Sequence, residues 1–184
     1  MGLRVYNTLG RQIEDFVPFN NDKVGFYGCG PTVYNYAHIG NLRAYIFQDT
    51  LSRLLRFLGY SLTHVMNITD IGHLSGDADD GEDKMVKTAR ERGQSVLEIA
   101  GFYADAFFKD TERLNIRRPD VVCKATDHVP EMIELIKRIE ANGHTYSAGG
   151  NLYYDIMTFP HYGELASIRL EDLKAGARIE VDEN

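Results

Sequence analysis

The sequence predicts an α/β fold built on a parallel sheet. Three observations point there: an apolar run, Val24–Tyr27, stopped by Gly28-Cys29-Gly30-Pro31; a long stretch of helical period from about Ile39 to Leu58; and a second apolar run from Leu62 to Ile68. Strand, helix and strand in such close succession make a βαβ crossover, which is right-handed almost without exception.

In chain order, Leu3 to Tyr6 and Gln12 to Phe16 read as a hairpin around Asn7-Thr8-Leu9-Gly10. Val24–Tyr27 is a buried strand ended by breakers. In the long helix, Phe47, Leu51, Leu54, Leu55 and Leu58 recur at helical spacing and are expected to form its buried stripe, with Gly59 as the stop. Residues 75–83 read as an acidic loop, followed by a helix from about Glu82 to Arg92 ending at Gly93. Ser95-Val96-Leu97-Glu98 is a capping box that opens the next helix, with Ile99, Phe102, Tyr103 and Ala106 as its inner face. A further helix is expected near Asp127, burying Met132, Leu135, Ile136 and Ile139 before Gly143. Thr145 to Ser147 and Leu152 to Asp155 flank Gly149-Gly150 as a hairpin, and from Phe159 no period is clear. A domain boundary is expected near residue 118, at Arg118-Pro119.

Composition narrows the function classes. No apolar run approaches the roughly 20 residues of a membrane helix, and the N-terminus lacks the apolar core of a signal peptide, so a cytoplasmic protein without a membrane partner is expected. Cys29 and Cys123 form no C-x-x-C pair, which excludes a disulfide scaffold and a self-contained cysteine-rich zinc module. The formal net charge of −7 excludes a chain-wide basic surface, so any RNA must be met by a local patch or another region.

In an open α/β sheet, ligands bind beyond the carboxyl ends of the strands. Here that place is Cys29 to Asn41, which leaves the first strand and enters the helix through His38-Ile39-Gly40-Asn41. A helix N-terminus offers unpaired N–H groups and partial positive charge to phosphate. Gly40 lets a nucleotide approach the backbone, His38 can donate where negative charge builds up, and Asn41 can donate without carrying charge. The tetrapeptide alone suits equally a His that merely caps the helix, and a single Cys is more often a small buried hydrophobe than a ligand. The second strand shifts the balance. It ends in Asn67-Ile68-Thr69-Asp70, so two neighbouring strand ends carry Cys, Thr, His and Asn, which describes a pocket better than a core.

These residues resemble the cysteinyl-tRNA synthetase family. The match runs through Cys29-Gly30-Pro31-Thr32-Val33-Tyr34, His38-Ile39-Gly40-Asn41, Asn67-Ile68-Thr69-Asp70, Leu114-Asn115-Ile116, Arg118-Pro119-Asp120 and Ala125-Thr126-Asp127-His128. It continues to Tyr162-Gly163-Glu164-Leu165 and Ala175-Gly176-Ala177-Arg178, covering nearly the whole chain in order. The resemblance implies a class I synthetase with a Rossmann-like parallel nucleotide-binding sheet: residues 1–118 as the first half of the catalytic domain, and 119–184 as part of an inserted α+β connective domain. It implies ATP-dependent activation of L-cysteine, with Mg2+, and transfer to tRNA(Cys).

By the same resemblance, His38, Ile39, Gly40 and Asn41 bind ATP, with His38 and Asn41 catalytic. Gly30, Pro31, Thr32, Asn67 and Thr69 bind cysteine or its adenylate, and Cys29 ligates Zn2+. Asn41 stands where the family more often has His, which removes a charge and keeps a donor. Zinc has a physical use there: serine differs from cysteine by one atom, shape discriminates weakly, and zinc prefers thiolate. The chemistry is in-line attack of the carboxylate on the α-phosphorus with loss of pyrophosphate, helped by position and charge.

Cys29 has no credible companion ligands in the sequence, and Lys84-Met85 is not the family's lysine-rich second signature. The expectation is therefore a truncated fragment, inactive alone, whose missing C-terminal half is its partner. Three rivals share parts of the pattern: the mycothiol-pathway cysteine ligase, a small nucleotidylyltransferase, and a non-catalytic or split-subunit paralogue. Asp77, Asp79, Asp80 and Asp83 lack calcium-loop spacing, with Gly81 one place early and Thr88 where Glu belongs. Cys123 reads as core and His64 as structural; His73, His128, His144 and His161 lack a helical ligand partner, and Arg113, Arg117, Arg118, Lys137 and Arg138 read as a solvated basic face.

Overall fold

The computed structural model describes residues 2–20, 22–72, 93 and 95–167. The expected acidic loop at 75–83, the helix after it, His73 and the Ala175–Arg178 motif lie outside the described residues. Two compact units emerge, one spanning Pro18 to His128 and one joining Met1–Val17 to the chain from Val129.

In the second of these, β1 (Arg4–Asn7) and β2 (Gln12–Asp15) form the expected antiparallel hairpin. The Pro18–His128 unit carries the βαβ crossover: β3 (Lys23–Gly28), α1 (Ile39–Phe57) and β4 (Ser61–Ile68), followed by α2 (Val96–Arg113) and β5 (Val121–Lys124). The three strands form a parallel sheet in the order β3-β4-β5, with Gly28 opposite Met66 and Ile68 opposite Lys124. Because β5 extends this sheet, the unit continues past residue 118, where the sequence suggested a break.

Helix α1 stops as Gly59 predicts. Gly59 sits at φ 91°, its N–H donates to Arg56 O at 3.0 Å and the Tyr60 N–H donates to Leu55 O at 3.1 Å, a Schellman close. Of its expected stripe only Leu55 is buried, with Leu51 half-buried. Tyr45, Ser52 and Leu55 are buried, whereas Phe47 is 70% exposed and Leu54 and Leu58 are exposed too. The reason is angular: the Tyr45 ring packs edge-on to Phe107 at 4.8 Å, and at about 100° per residue Phe47 and Leu54 then point roughly 180–200° away. Hydropathy picked the larger side chains, while packing with Met66 and Phe107 picked Tyr45.

Helix α2 opens with the predicted box: Ser95 Oγ accepts from the Glu98 N–H at 3.2 Å and Glu98 Oε2 accepts from the Ser95 N–H at 2.8 Å. Ile99, Ala100, Tyr103 and Ala104 pack with Val33 and Ile68, so this helix backs both the loop after β3 and the end of β4. Phe102, expected inside, is exposed, its ring edge-on to Tyr36 and Tyr103.

In the other unit, α3 (Val129–Ala141) follows a 3₁₀ turn at Ala125–His128, and β6 (Thr145–Ala148) and β7 (Asn151–Tyr154) form a hairpin. Gly149 and Gly150 both have positive φ, 56° and 79°, as a two-residue turn matched to strand twist requires. No residue of α3 is buried among the described residues, and Met132, Leu135 and Ile136 are exposed, contrary to expectation. A helical apolar stripe reports an amphipathic helix; it does not supply the partner that covers it. No helix among the described residues is long and apolar enough to cross a membrane.

Candidate active site

The chain leaves β3 at Gly28 and takes ten residues to reach α1, and that loop is pinned to the end of β4. Thr69 N–H donates to Pro31 O at 3.0 Å and Val33 N–H donates to Thr69 O at 3.1 Å, a parallel bridge that pairs Thr32 with Thr69 beyond the last strand residues. Val33, 1% exposed, anchors the loop in the core, while Cys29 stays exposed. A Cβ on Gly30 would collide with the Asn67 backbone oxygen, so the close approach of the two strand ends requires glycine there.

Asn67 ties this corner together. Its Oδ1 accepts from the Tyr27 hydroxyl at 2.9 Å and from the Gly30 N–H at 3.0 Å, and its Nδ2 donates to Thr69 Oγ1 at 3.1 Å. Both acceptor sites of the amide are in use, which leaves one N–H for anything else.

His38 is the N-cap of α1. Its Nδ1 accepts from the Gly40 N–H at 3.1 Å and the Asn41 N–H at 3.3 Å, and Asn41 Oδ1 accepts from the His38 N–H at 3.1 Å. Two of the backbone N–H groups expected to face phosphate are therefore taken up by His38 itself. An imidazole that accepts at Nδ1 carries its proton at Nε2 when neutral, so the donors left at this helix start are His38 Nε2–H and Asn41 Nδ2. Gly40 has a local reason as well: a Cβ would stand 2.9 Å from His38 Cε1. His38 caps the helix through Nδ1, and that use does not engage Nε2.

A cavity of about 300 Å³ opens between the loop and the helix start, lined by Gly30 to His38, Asn41, Tyr45, Tyr103 and Phe107. Burial pushes the Tyr45 phenol up to about 12, with Cys29 adding to the rise, so it remains a neutral wall. The floor is aromatic, the rim is backbone and amide, and the exposed thiol of Cys29 lies at the neighbouring strand end. Asp70, 3% exposed, points away from this exchange of polar groups: it accepts the Thr126 N–H at 3.0 Å and the Thr126 hydroxyl at 2.6 Å, tying β4 to the turn after β5.

The structure thus brings together Cys29, Gly30, Pro31, Thr32, His38, Asn41, Asn67 and Thr69. Tyr45 and Gln48 also belong to the site's surroundings and went unread in the sequence, and Tyr27 and Tyr103, read there only as strand and helix core, join them. The Tyr45-Gln48-Ser52-Leu55 spacing, a polar-containing stripe at helical period, is the signal for two of them. Cys123 is half-buried with Sγ 3.6 Å from Met66 O, and His64 is buried in β4. Among the described residues, no three His, Cys, Asp or Glu side chains gather to hold a metal ion.

This architecture, a parallel sheet with its pocket at the carboxyl strand ends, is that of a class I tRNA synthetase catalytic domain. Over 66% of the chain and 15% of the other, it superposes with a TM-score of 0.52 on the LeuRS of Agrobacterium radiobacter K84 agnB2, solved in a ternary complex with tRNA and LeuAMS; at 21% identity the likeness concerns the fold alone. The chain belongs to the family of class I (C) tRNA synthetase catalytic domains, whose model matches residues 15–184. It is 73% identical over 184 residues to the cysteine–tRNA ligase of Treponema denticola, covering all of this chain and 37% of that protein. It is 56% identical over 176 residues to that of Treponema pallidum strain Nichols, with 96% and 34% covered, and 53% identical over 183 residues to that of Borrelia garinii subsp. bavariensis, with 99% and 38% covered. The chain therefore spans little more than a third of these curated relatives.

Proposed function

We propose that this chain builds the cysteine-activating pocket of a cytoplasmic cysteine–tRNA ligase, which joins L-cysteine to ATP and passes it to tRNA(Cys). The observation that carries the reading is one cavity lined by Gly30, Thr32, His38 and Asn41, with Thr32 bridged to Thr69 and the exposed Cys29 next in the chain to Gly30.

In this reading the substrate carboxylate attacks the α-phosphorus in line and pyrophosphate leaves with the P–O bond electrons. His38 Nε2–H and Asn41 Nδ2 donate to phosphate oxygens as charge builds up, and the bridge to Thr69 fixes Thr32 on the pocket wall. Asn67 acts one step back, holding Gly30 and Thr69. Bound zinc would supply a preference for sulfur over oxygen. Cys29 offers one donor for it, and among the described residues no group of three such side chains gathers, so a complete site needs donors from elsewhere and no step is routed through the metal.

The test is a chimera in which these 184 residues replace the matching segment of the Treponema denticola relative. Cysteine-dependent exchange of pyrophosphate into ATP, lost on His38→Ala, supports the reading. A folded chimera without exchange, beside an active parent, contradicts it.

A further inference from the structure

Two buried polar atoms beside Cys29 lack a hydrogen-bond partner: Gln48 Oε1 and His64 Nε2. His64 is 4% exposed, and its ring stacks on Phe26 with centroids 4.7 Å apart. Gln48 lies on the inner stripe of α1. Both atoms converge on Gly28, where a Cβ would collide with Gln48 Oε1 and stand 3.1 Å from His64 Nε2. The other end of the same carboxamide is committed, since Gln48 Nε2 donates to the Cys29 carbonyl at 3.1 Å.

Bond polarity fixes the rest. The Cys29 carbonyl can only accept, so Gln48 must turn its NH2 group toward it. The amide oxygen then faces His64, and an imidazole nitrogen beside that oxygen must carry a proton, because two lone pairs would repel. We propose that His64 donates Nε2–H to Gln48 Oε1, and that this buried relay orients the carboxamide holding the Cys29 backbone, making Gln48 and His64 positioning residues for the Cys29 thiol. Gln48 and His64 line a space of only about 10 Å³, so the relay closes by a direct bond, reached by a small movement of the two side chains. Burial lowers the pKa of this imidazole and so favours the neutral ring, with a single N–H to place. Gly28 follows from the same arrangement: a glycine inside a strand marks the close approach of another group, and here that group is Gln48.

The tautomer stands on geometry alone, whereas its consequence for chemistry rests on the reading of Cys29 given above. The first measurement is ¹⁵N NMR of the histidine rings, with His64 assigned through His64→Gln. A protonated Nε2 and an unprotonated Nδ1 near neutral pH, altered by Gln48→Leu, are expected; an Nδ1–H tautomer overturns the relay. The second is the alkylation rate of Cys29, followed by peptide mass spectrometry with Cys123 as internal reference. Gln48→Leu and His64→Leu should change the Cys29 rate several-fold and leave Cys123 unchanged, and His64→Gln, which returns an amide donor to the place of Nε2, should restore it. An unchanged Cys29 rate in Gln48→Leu overturns the positioning role, and that variant decides the matter if His64→Leu does not fold. Neither readout depends on whether the chimera activates cysteine, so the two readings fail separately.

Discussion

His38 and Asn41 cap each other: His38 Nδ1 accepts the Asn41 N–H at 3.3 Å while Asn41 Oδ1 accepts the His38 N–H at 3.1 Å. The reciprocal pair does with an imidazole and an amide what Ser and Glu do at the start of α2. It also orients His38 Nε2 and Asn41 Nδ2, so the cap and the proposed chemistry use the same side chains and must be separated by substitution.

His38→Ala should lower stability by about 1 kcal/mol, the usual worth of an N-cap. His38→Asn, itself a good cap, should recover most of that. Urea midpoints at unchanged slope measure this. In the chimera both variants should lose pyrophosphate exchange, because neither supplies Nε2–H. Full exchange by His38→Asn would reduce His38 to a cap.

Gly30→Ala should be costly out of proportion to one methyl group. The new Cβ meets the Asn67 backbone oxygen, which cannot swing away as a side chain would. A cost of about 1–3 kcal/mol is expected, typical of overpacking. The Val33 amide, which donates to Thr69 O across the bridge, should exchange hydrogen faster. Unchanged exchange at Val33 would mean that the loop is not pinned at this corner.

Thr126→Val tests the tie between the end of β4 and the turn after β5. It keeps the shape and removes the hydroxyl donor at 2.6 Å from the buried Asp70 carboxylate. A loss of about 1–3 kcal/mol is expected for a buried acceptor left short of a partner, and Thr126→Ser should recover it. Thermal melts of the three proteins decide.

Acid should destabilise the chain in two steps. Burial lowers the His64 pKa in the folded state, so the unfolded chain binds the extra proton first; stability present above about pH 6.5 falls as pH drops below it. The His64 backbone N–H, at 2.7 Å, holds the Asp120 carboxyl below the usual range, with Arg56 helping, so its contribution is present above about pH 4 and is lost below. His64→Gln should flatten the first step and Asp120→Asn the second, read from urea midpoints against pH. A profile that keeps both steps in both variants would assign them elsewhere.

Much of this was legible in the residues. The breakers after Tyr27, the helical period up to Gly59 and the capping box at Ser95 each announce a backbone event governed by local chemistry, and each occurs where expected. The meeting of Thr32, Asn67 and Thr69 at neighbouring strand ends was legible because polar groups there have few other uses. What could not be read was orientation. Whether Phe47 or Tyr45 faces the sheet depends on the Phe107 ring, which arrives from a helix far along the chain. That Gly40 N–H and Asn41 N–H would turn to His38 depends on a single side-chain torsion. The Gly28-Gln48-His64 meeting joins three elements, and no spacing within one of them reveals it.

In the proposed function Cys29 opens onto the site of the adenylate. In the chimera, a non-hydrolysable cysteinyl-adenylate analogue should slow alkylation of Cys29 in proportion to its occupancy and leave Cys123 untouched. Alkylation of Cys29 that proceeds at the same rate with the analogue bound would place the ligand elsewhere and contradict the account.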